Sequence, residues 1–134
     1  ELLCAIPGGR RRLFAVSAHC DYPPGVRTLP QATKSLVQAD GRSSEDVEAQ
    51  VQDLLAKGVT DFHPIDEDLL RYQRPGLLLT QDACPTCDAD ASSAGRALVG
   101  AGLESAQALS MKATTVDEIL GLLGVLGRHI GEEE

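Results

Sequence analysis

Two segments of similar design constrain the fold of this chain most. Residues 77–87, with the sequence LLLTQDACPTC, begin as an apolar run and end in a Cys-x-x-Cys motif. Residues 13–24, LFAVSAHCDYPP, pass in the same way from an apolar run into polar residues, a cysteine and prolines. Short continuous apolar runs are typical of buried strands in parallel sheets. Because ligands sit outside the carboxyl ends of such strands, the pattern predicts one site built from both loops.

Capping signals and hydrophobic periodicity predict the remaining elements. They indicate helices over residues 1–6, 43–57, 66–72, 89–103 and 115–131. Apolar runs indicate buried strands over residues 13–16 and 77–79. Residues 107–110 are a candidate for a third buried strand, and shorter candidate strands lie around residues 31–33 and 59–65. The alternation predicts an α/β fold, a three-layer Rossmann-like lobe whose short, mostly parallel sheet is flanked by helices.

Composition restricts the classes of partner. The chain of 134 residues has the size of one domain. It contains two Phe, two Tyr and no Trp, so a surface that stacks single-stranded bases is not expected. A net charge of −8 repels phosphate backbones, which argues against a nucleic-acid partner. No apolar run approaches the roughly 20 residues of a membrane-spanning helix.

The start of the chain leaves the compartment open. The sequence has no initiating Met, and residues 1–6 already read as part of a helix. No signal peptide opens the chain. We therefore expect a fragment or a processed chain, whose localisation the residues themselves do not indicate.

The sharpest chemical motif is the pair Cys84 and Cys87. A Cys-x-x-Cys between a strand and a helix is typical of thiol–disulfide oxidoreductases, in which the helix N-terminus lowers the pKa of the first thiol. That fold also requires a proline loop facing the cysteines, and no proline follows Pro85. Alternatively, the pair could belong to a metal site together with Cys20 or its neighbour His19, although adjacent residues rarely both ligate one ion. Cys20, Cys84 and Cys87 are the candidate metal ligands.

The other polar residues offer no convincing catalytic set. His63 and His129 have no sequence partner, so we expect them at the surface or hydrogen-bonded. The acidic residues 66–68 indicate a helix N-terminus rather than an acid–base pair. Neither a phosphate-binding glycine loop nor a nucleophile elbow is present. We therefore predict a protein that is not an enzyme and has no catalytic cofactor.

Several motifs, taken together, resemble one known family. These are residues 16–24 (VSAHCDYPP), 65–70 (IDEDLL), 74–82 (RPGLLLTQD) and the Cys84-x-x-Cys87 motif. In order and spacing they resemble the N-terminal lobe of cobalamin-binding, periplasmic-type substrate-binding proteins of ABC importers. That class of protein also takes iron complexes. The resemblance extends from residue 1 to residue 115.

The resemblance implies a non-catalytic binding function. In that family the ligand lies in a cleft between two lobes and contacts the loops that follow these strands. Cobalamin or an iron chelate would be the transported ligand, importer membrane subunits the partners, and the location periplasmic or extracytoplasmic. The implied ligand-binding residues are His19, Cys20, Asp21, Tyr22, Lys34, Gln81, Asp82, Cys84 and Cys87.

The chain departs from the family pattern in three respects. The opening strand, with its Ser-x-x-Pro-Ser-x-x-Glu pattern, is missing, and so is the second lobe. The usual His-Glu-Cys before the Asp-Tyr-Pro-Pro run is replaced by Ala-His-Cys. The resemblance therefore implies that residues 1–134 form a single N-terminal-type lobe without its first strand. Residues 115–131 would begin the helix between the lobes.

Overall fold

The computed structural model describes residues 1–82 and 89–131. Two 3-10 turns, Gly9–Arg12 and Pro24–Thr28, lie in its N-terminal part. In chain order the regular elements are α1 (Leu2–Ala5), α2 (Ser44–Ala56), α3 (Glu67–Gln73), β1 (Leu77–Thr80), α4 (Ala91–Gly100), β2 (Gln107–Ser110) and α5 (Val116–Ile130).

The α/β class predicted from the sequence is confirmed. Strands β1 and β2 pair in parallel, from Leu77 opposite Gln107 to Thr80 opposite Ser110. Helix α4 connects them and packs against both strands, and α3 packs against α4. A crossover helix is the usual way to bring two strands parallel, because a tight turn reverses the chain direction. The described residues contain five α-helices and this two-stranded parallel sheet.

The main apolar core lies between α3, α4 and the sheet. Its central side chains are Leu70 and Leu98, which are 2% and 3% exposed. Burying one such leucine contributes about 1.5–3 kcal/mol to folding. We call β1, β2, α3, α4 and this core the sheet region. Its buried residues are Leu70, Ala97, Leu98, Ala101 and Leu103, against which Ile65, Leu78 and Ala106 pack.

Three predicted strands are reduced to isolated bridges. Residues 13–16 form no strand, and Val16 alone bridges Gln31 in parallel. The segments around residues 31–33 and 59–65 meet in one antiparallel bridge, from Thr33 to Ile65. We call residues 13–36 and 61–66 the bridged region.

Hydrogen bonds explain why the Val16 pairing does not extend. The N–H of Val16 donates to Pro30 O at 3.0 Å, and Ala32 N–H donates to Val16 O at 2.7 Å. Toward the N-terminus the ladder needs an N–H on residue 30, which proline lacks. Toward the C-terminus, the N–H of Ala18 donates instead to the Thr33 hydroxyl at 3.0 Å. The parallel pairing is therefore limited to the single pair of Val16 and Gln31.

The predicted helix starts are confirmed by their caps. The Ser43 side chain accepts from Asp46 N–H, and Thr115 accepts from Glu118 N–H, each within a reciprocal capping box. Asp66 caps α3 through Leu69 N–H. Such caps satisfy backbone donors that have no partner inside the helix.

The apolar faces of two helices and one strand are less buried than their sequences suggest. None of the residues of α2 is buried. In α5 the buried residues lie near the C-terminal end, while Val116 and Leu120 are 71% and 57% exposed. α5 packs against α1, which has only four residues and covers only part of it. Strand β2 was predicted to be buried and is mostly exposed, because its covering helix α4 lies on one side.

A close backbone approach fixes the N-terminal turn. α1 packs against the 3-10 turn that begins at Gly9, and Gly9 is buried. A Cβ atom at Gly9 would overlap the carbonyl oxygen of Leu3. Glycine is the residue that permits such an approach because it has no side chain. Among the described residues, no helix has both the length and the apolar character needed to cross a membrane.

Candidate functional site

The bridged region brings two distant loops to one end. The chain runs parallel through Val16 and Gln31, then antiparallel through Thr33 and Ile65. The hydrogen bond from Lys34 N–H to Pro64 O (3.2 Å) continues the antiparallel pairing. The residues that follow Val16 and those that precede Ile65 therefore lie at the same end. These are the residues that carry the histidines of the region.

His19 and His63 form a ring pair at this end. Their ring centroids are 5.0 Å apart, and the ring planes are inclined by 81°. His19 is exposed, whereas His63 is 6% exposed. His63 was expected at the surface or hydrogen-bonded, and this expectation is wrong. His63 is buried, and its Nδ1 atom has no hydrogen-bond partner in the part of the chain that the structure describes.

His129, in contrast, agrees with the expectation for a surface histidine. It is exposed near the end of α5, and its Nδ1 lies 2.9 Å from Val125 O. The difference between the two residues could not be read from their immediate neighbours in sequence. The partner of His63 is far away in the chain, and the backbone bridges that join the two loops involve other residues.

The loop after His19 exposes its polar groups. Cys20 is an exposed free thiol whose Sγ lies 3.3 Å from Ser17 Oγ. Asp21 accepts from the Arg27 guanidinium at 3.3 Å in an exposed ion pair. Tyr22 is 62% exposed and precedes a cis peptide bond to Pro23. Each of these predicted site residues is open to a ligand.

Lys34 lies on the neighbouring segment and pairs with a helix cap. Its Nζ is 3.6 Å from the carboxylate of Asp66, with the lysine side chain 75% exposed. The pKa of Asp66 is lowered, first by the N–H of Leu69 and then by the charge of Lys34. This cap holds the start of α3 next to the bridged region.

The second predicted loop follows β1. Gln81 is exposed, and Asp82 accepts from the N–H of Ala91 at 2.9 Å. Asp82 thus supports the first turn of α4, which Asp90 caps through the N–H of Ser93. Cys84 and Cys87 lie outside the described residues. No hydrogen bond or ion pair joins residues 19–24 to residues 81–82 in the part of the chain that the structure describes.

A shallow groove separates the bridged region from α4. It has a volume of about 180 Å³ and is lined by Asp61, Ile65, Glu67, Ser93 and Arg96, among others. Across residues 1–82 and 89–131, no three side chains of His, Cys, Asp or Glu form a cluster that could hold a metal ion. Cys20 therefore has no such partners within those ranges.

Comparison of the chain with protein-family models, curated proteins and solved structures gives no match. The exposed loop of residues 19–22 was predicted from the sequence, whereas the burial of His63 was not. In the sequence, the signal for its burial was only that His63 lies within the candidate strand of residues 59–65.

Proposed function

We propose that this chain binds cobalamin or a related metal chelate, without catalysis, as one lobe of a substrate-binding protein of an ABC importer. The observation that carries the proposal is the loop of residues 19–22, exposed on a backbone held by hydrogen bonds. Ala18 N–H donates to Thr33 Oγ1, and Cys20 N–H donates to Ser17 O at 3.1 Å. A loop held in this way loses little conformational freedom when a ligand binds.

The chemistry of the exposed groups suits a large ring with polar edges. A corrin has a broad apolar face and a fringe of amides. Tyr22 and Leu36 are exposed aromatic and apolar side chains of the bridged region, with exposures of 62% and 42%. His19 and Lys34 offer hydrogen bonds to amide groups. Sites of this kind combine apolar walls with a few polar groups that fix orientation.

The proposal includes a finer fold assignment. We interpret the α/β arrangement as part of a three-layer Rossmann-like lobe, with α5 as the start of the helix that connects two lobes. The exposed residues Val116, Ile119 and Leu120 support this interpretation. An apolar helix surface of this kind is usually covered by another part of a protein. A periplasmic or extracytoplasmic location and contact with importer membrane subunits belong to the same proposal.

Calorimetric titration with cyanocobalamin tests the ligand. We expect saturable heat with one equivalent of ligand per chain. A parallel titration with a ferric chelate distinguishes the corrinoid from an iron complex. Absence of heat with both ligands at micromolar concentrations would contradict the proposal. The thiol–disulfide alternative rests on Cys84 and Cys87, and no observation on the described residues favours it.

The two tyrosines of the chain provide a matched pair of variants. Tyr22 lies in the proposed site, whereas Tyr72 is 83% exposed on α3. Tyrosine is enriched among the few contact residues whose truncation costs more than about 1 kcal/mol of binding, so Tyr22→Ala should weaken binding by more than about fivefold. Tyr72→Ala should leave the affinity unchanged. Equal effects of the two substitutions would place the ligand elsewhere.

A further inference from the structure

His63 has a buried nitrogen that finds no partner among the described residues. Its Nδ1 has no hydrogen bond within residues 1–82 and 89–131, although its backbone N–H donates to Asp61 Oδ1 at 3.0 Å. Leaving such a buried polar atom unpaired costs about 1–3 kcal/mol. Unpaired buried side-chain groups are uncommon in folded proteins, and they often mark a function or a bound ion. His63 therefore requires an explanation beyond packing.

The neighbouring ring supplies a second metal-ligating group. An imidazole nitrogen lies about 2 Å from a bound transition metal, which puts each ring centroid roughly 3 Å from the ion. Two imidazoles that bind one ion at angles between a right angle and the tetrahedral angle have centroids roughly 4.5–5 Å apart. The centroids of His19 and His63 are 5.0 Å apart. The spacing of the pair thus fits two ligands of one ion.

We infer that His19 and His63 form a binding site for a divalent transition-metal ion, with Cu²⁺ the most tightly bound. Imidazole nitrogen suits copper, nickel and zinc, and among these divalent ions affinity is highest for Cu²⁺. Within the described ranges no third His, Cys, Asp or Glu joins the pair in a metal-binding cluster. The remaining coordination positions are therefore taken by water or by a small exchangeable ligand. The inference does not depend on the proposed cobalamin binding.

The surrounding backbone holds the two rings at this spacing. On one side, Thr33 Oγ1 accepts from Ala18 N–H next to His19, and on the other, Lys34 N–H donates to Pro64 O next to His63. Asp61 accepts the backbone N–H of His63 itself. Because hydrogen bonds fix the backbone beside both histidines, the site is formed before the ion binds, which reduces the ordering cost of binding.

The competing explanation is an ordinary edge-to-face contact. Such ring pairs contribute about 0.5–1.5 kcal/mol, and an N–H group directed at a ring face is a further weak interaction. Phenylalanine can make the same ring contact but carries no nitrogen. His19→Phe therefore separates the two explanations, because it keeps a ring beside His63 and removes one metal ligand.

The test is a titration with Cu²⁺. The full chain is produced without a histidine tag, and its thiols are blocked with iodoacetamide before the titration. Blocking is needed because thiolates bind copper and react with it. We expect one saturable site by calorimetry, and pulsed electron paramagnetic resonance showing two imidazole nitrogens coupled to one Cu²⁺. No saturable binding, or coupling to a single imidazole, would overturn the inference.

Two histidine variants complete the test. Removing a residue that hydrogen-bonds to a metal ligand typically lowers metal affinity about 10- to 100-fold. His19→Phe removes a ligand itself and should lower the affinity at least as much. His129→Phe changes the exposed histidine of α5 and should leave both affinity and spectrum unchanged. Retained two-imidazole binding in His19→Phe would show that the ring pair is only a packing contact. Equal losses in the two variants would assign the copper to dispersed surface histidines.

Discussion

The sheet region and the bridged region are stabilised in different ways. In the sheet region, two strands pair over four consecutive positions and pack with α3 and α4 around five buried apolar residues. In the bridged region, single-residue bridges and side-chain hydrogen bonds connect segments that bury the polar residues Thr33 and His63. Apolar packing is non-directional, whereas a hydrogen bond fixes individual atoms. The comparison indicates that the sheet region is held by paired strands around an apolar core, whereas in the bridged region, which also buries Val26 and Phe62, single hydrogen bonds position the backbone beside His19 and His63.

The largest effect is expected for Leu98→Ala in the sheet region. Leu98 is 3% exposed in the apolar core, and truncation of such a leucine typically costs about 2–5 kcal/mol. Urea denaturation measures the change in the free energy of unfolding. The neighbouring Val99 is 62% exposed, so Val99→Ala should change stability by less than about 0.5 kcal/mol. Similar losses in both variants would contradict the assignment of the core.

A smaller effect is expected for Thr33→Val in the bridged region. Valine keeps the shape but removes the hydroxyl that accepts Ala18 N–H, at a cost of about 1–3 kcal/mol. The same substitution should weaken Cu²⁺ binding, because this hydrogen bond positions the backbone next to His19. The exposed Thr28 donates to Gly25 O at 2.9 Å and serves as the control. If Thr28→Val were equally costly, the bridge at Thr33 would have no special role.

The cap of α4 provides a third measurement. Asp90→Ala removes the side chain that accepts Ser93 N–H, and such losses cost about 1 kcal/mol. Ser43→Ala makes the corresponding change in α2, none of whose residues is buried. A helix of this kind opens locally without exposing the core, so Ser43→Ala should reduce the global unfolding energy less. The reverse order would indicate that α2 contributes more to the core than its exposure suggests.

Acid should reduce stability through the same helix caps. The pKa of Asp90 is lowered by Ser93 N–H, and that of Glu118 is lowered by Thr114 N–H. A carboxyl whose pKa is lower in the folded state stabilises the protein at neutral pH, and this contribution is lost as pH falls below about 4. Asp90→Asn keeps a cap but does not titrate, so it should flatten the slope of unfolding free energy against pH. An unchanged slope would contradict the role of this carboxylate.

Local signals in the sequence predicted much of the fold. The capping residues Ser43, Asp66 and Thr115 act on backbone groups only a few positions away, so their effect is readable from a short window. The strand at residues 77–80 was predicted over residues 77–79 from its apolar run, and its partner at residues 107–110 was a candidate strand. The exposed loop of residues 19–22 followed from its polar and proline-containing sequence.

The remaining features depend on contacts between distant residues. Residues 13–16 have the composition of a strand, but Pro30 and the Thr33 hydroxyl limit their pairing to one bridge. His63 is buried beside His19 through segments that meet only in the folded chain. Whether an apolar residue such as Leu120 is covered likewise depends on the length of the element packed against it. Sequence periodicity does not contain that information.

The close approach at Gly9 has a consequence for the mutational tolerance of the chain. Every substitution there adds at least a Cβ, which would meet the backbone carbonyl of Leu3 rather than a side chain able to move aside. In a saturation library selected for folded protein, position 9 should therefore accept almost no replacement, whatever its polarity. Arg11 and Arg12, exposed in the same turn, should accept most. The same short turn would thus contain both strongly restricted and freely variable positions.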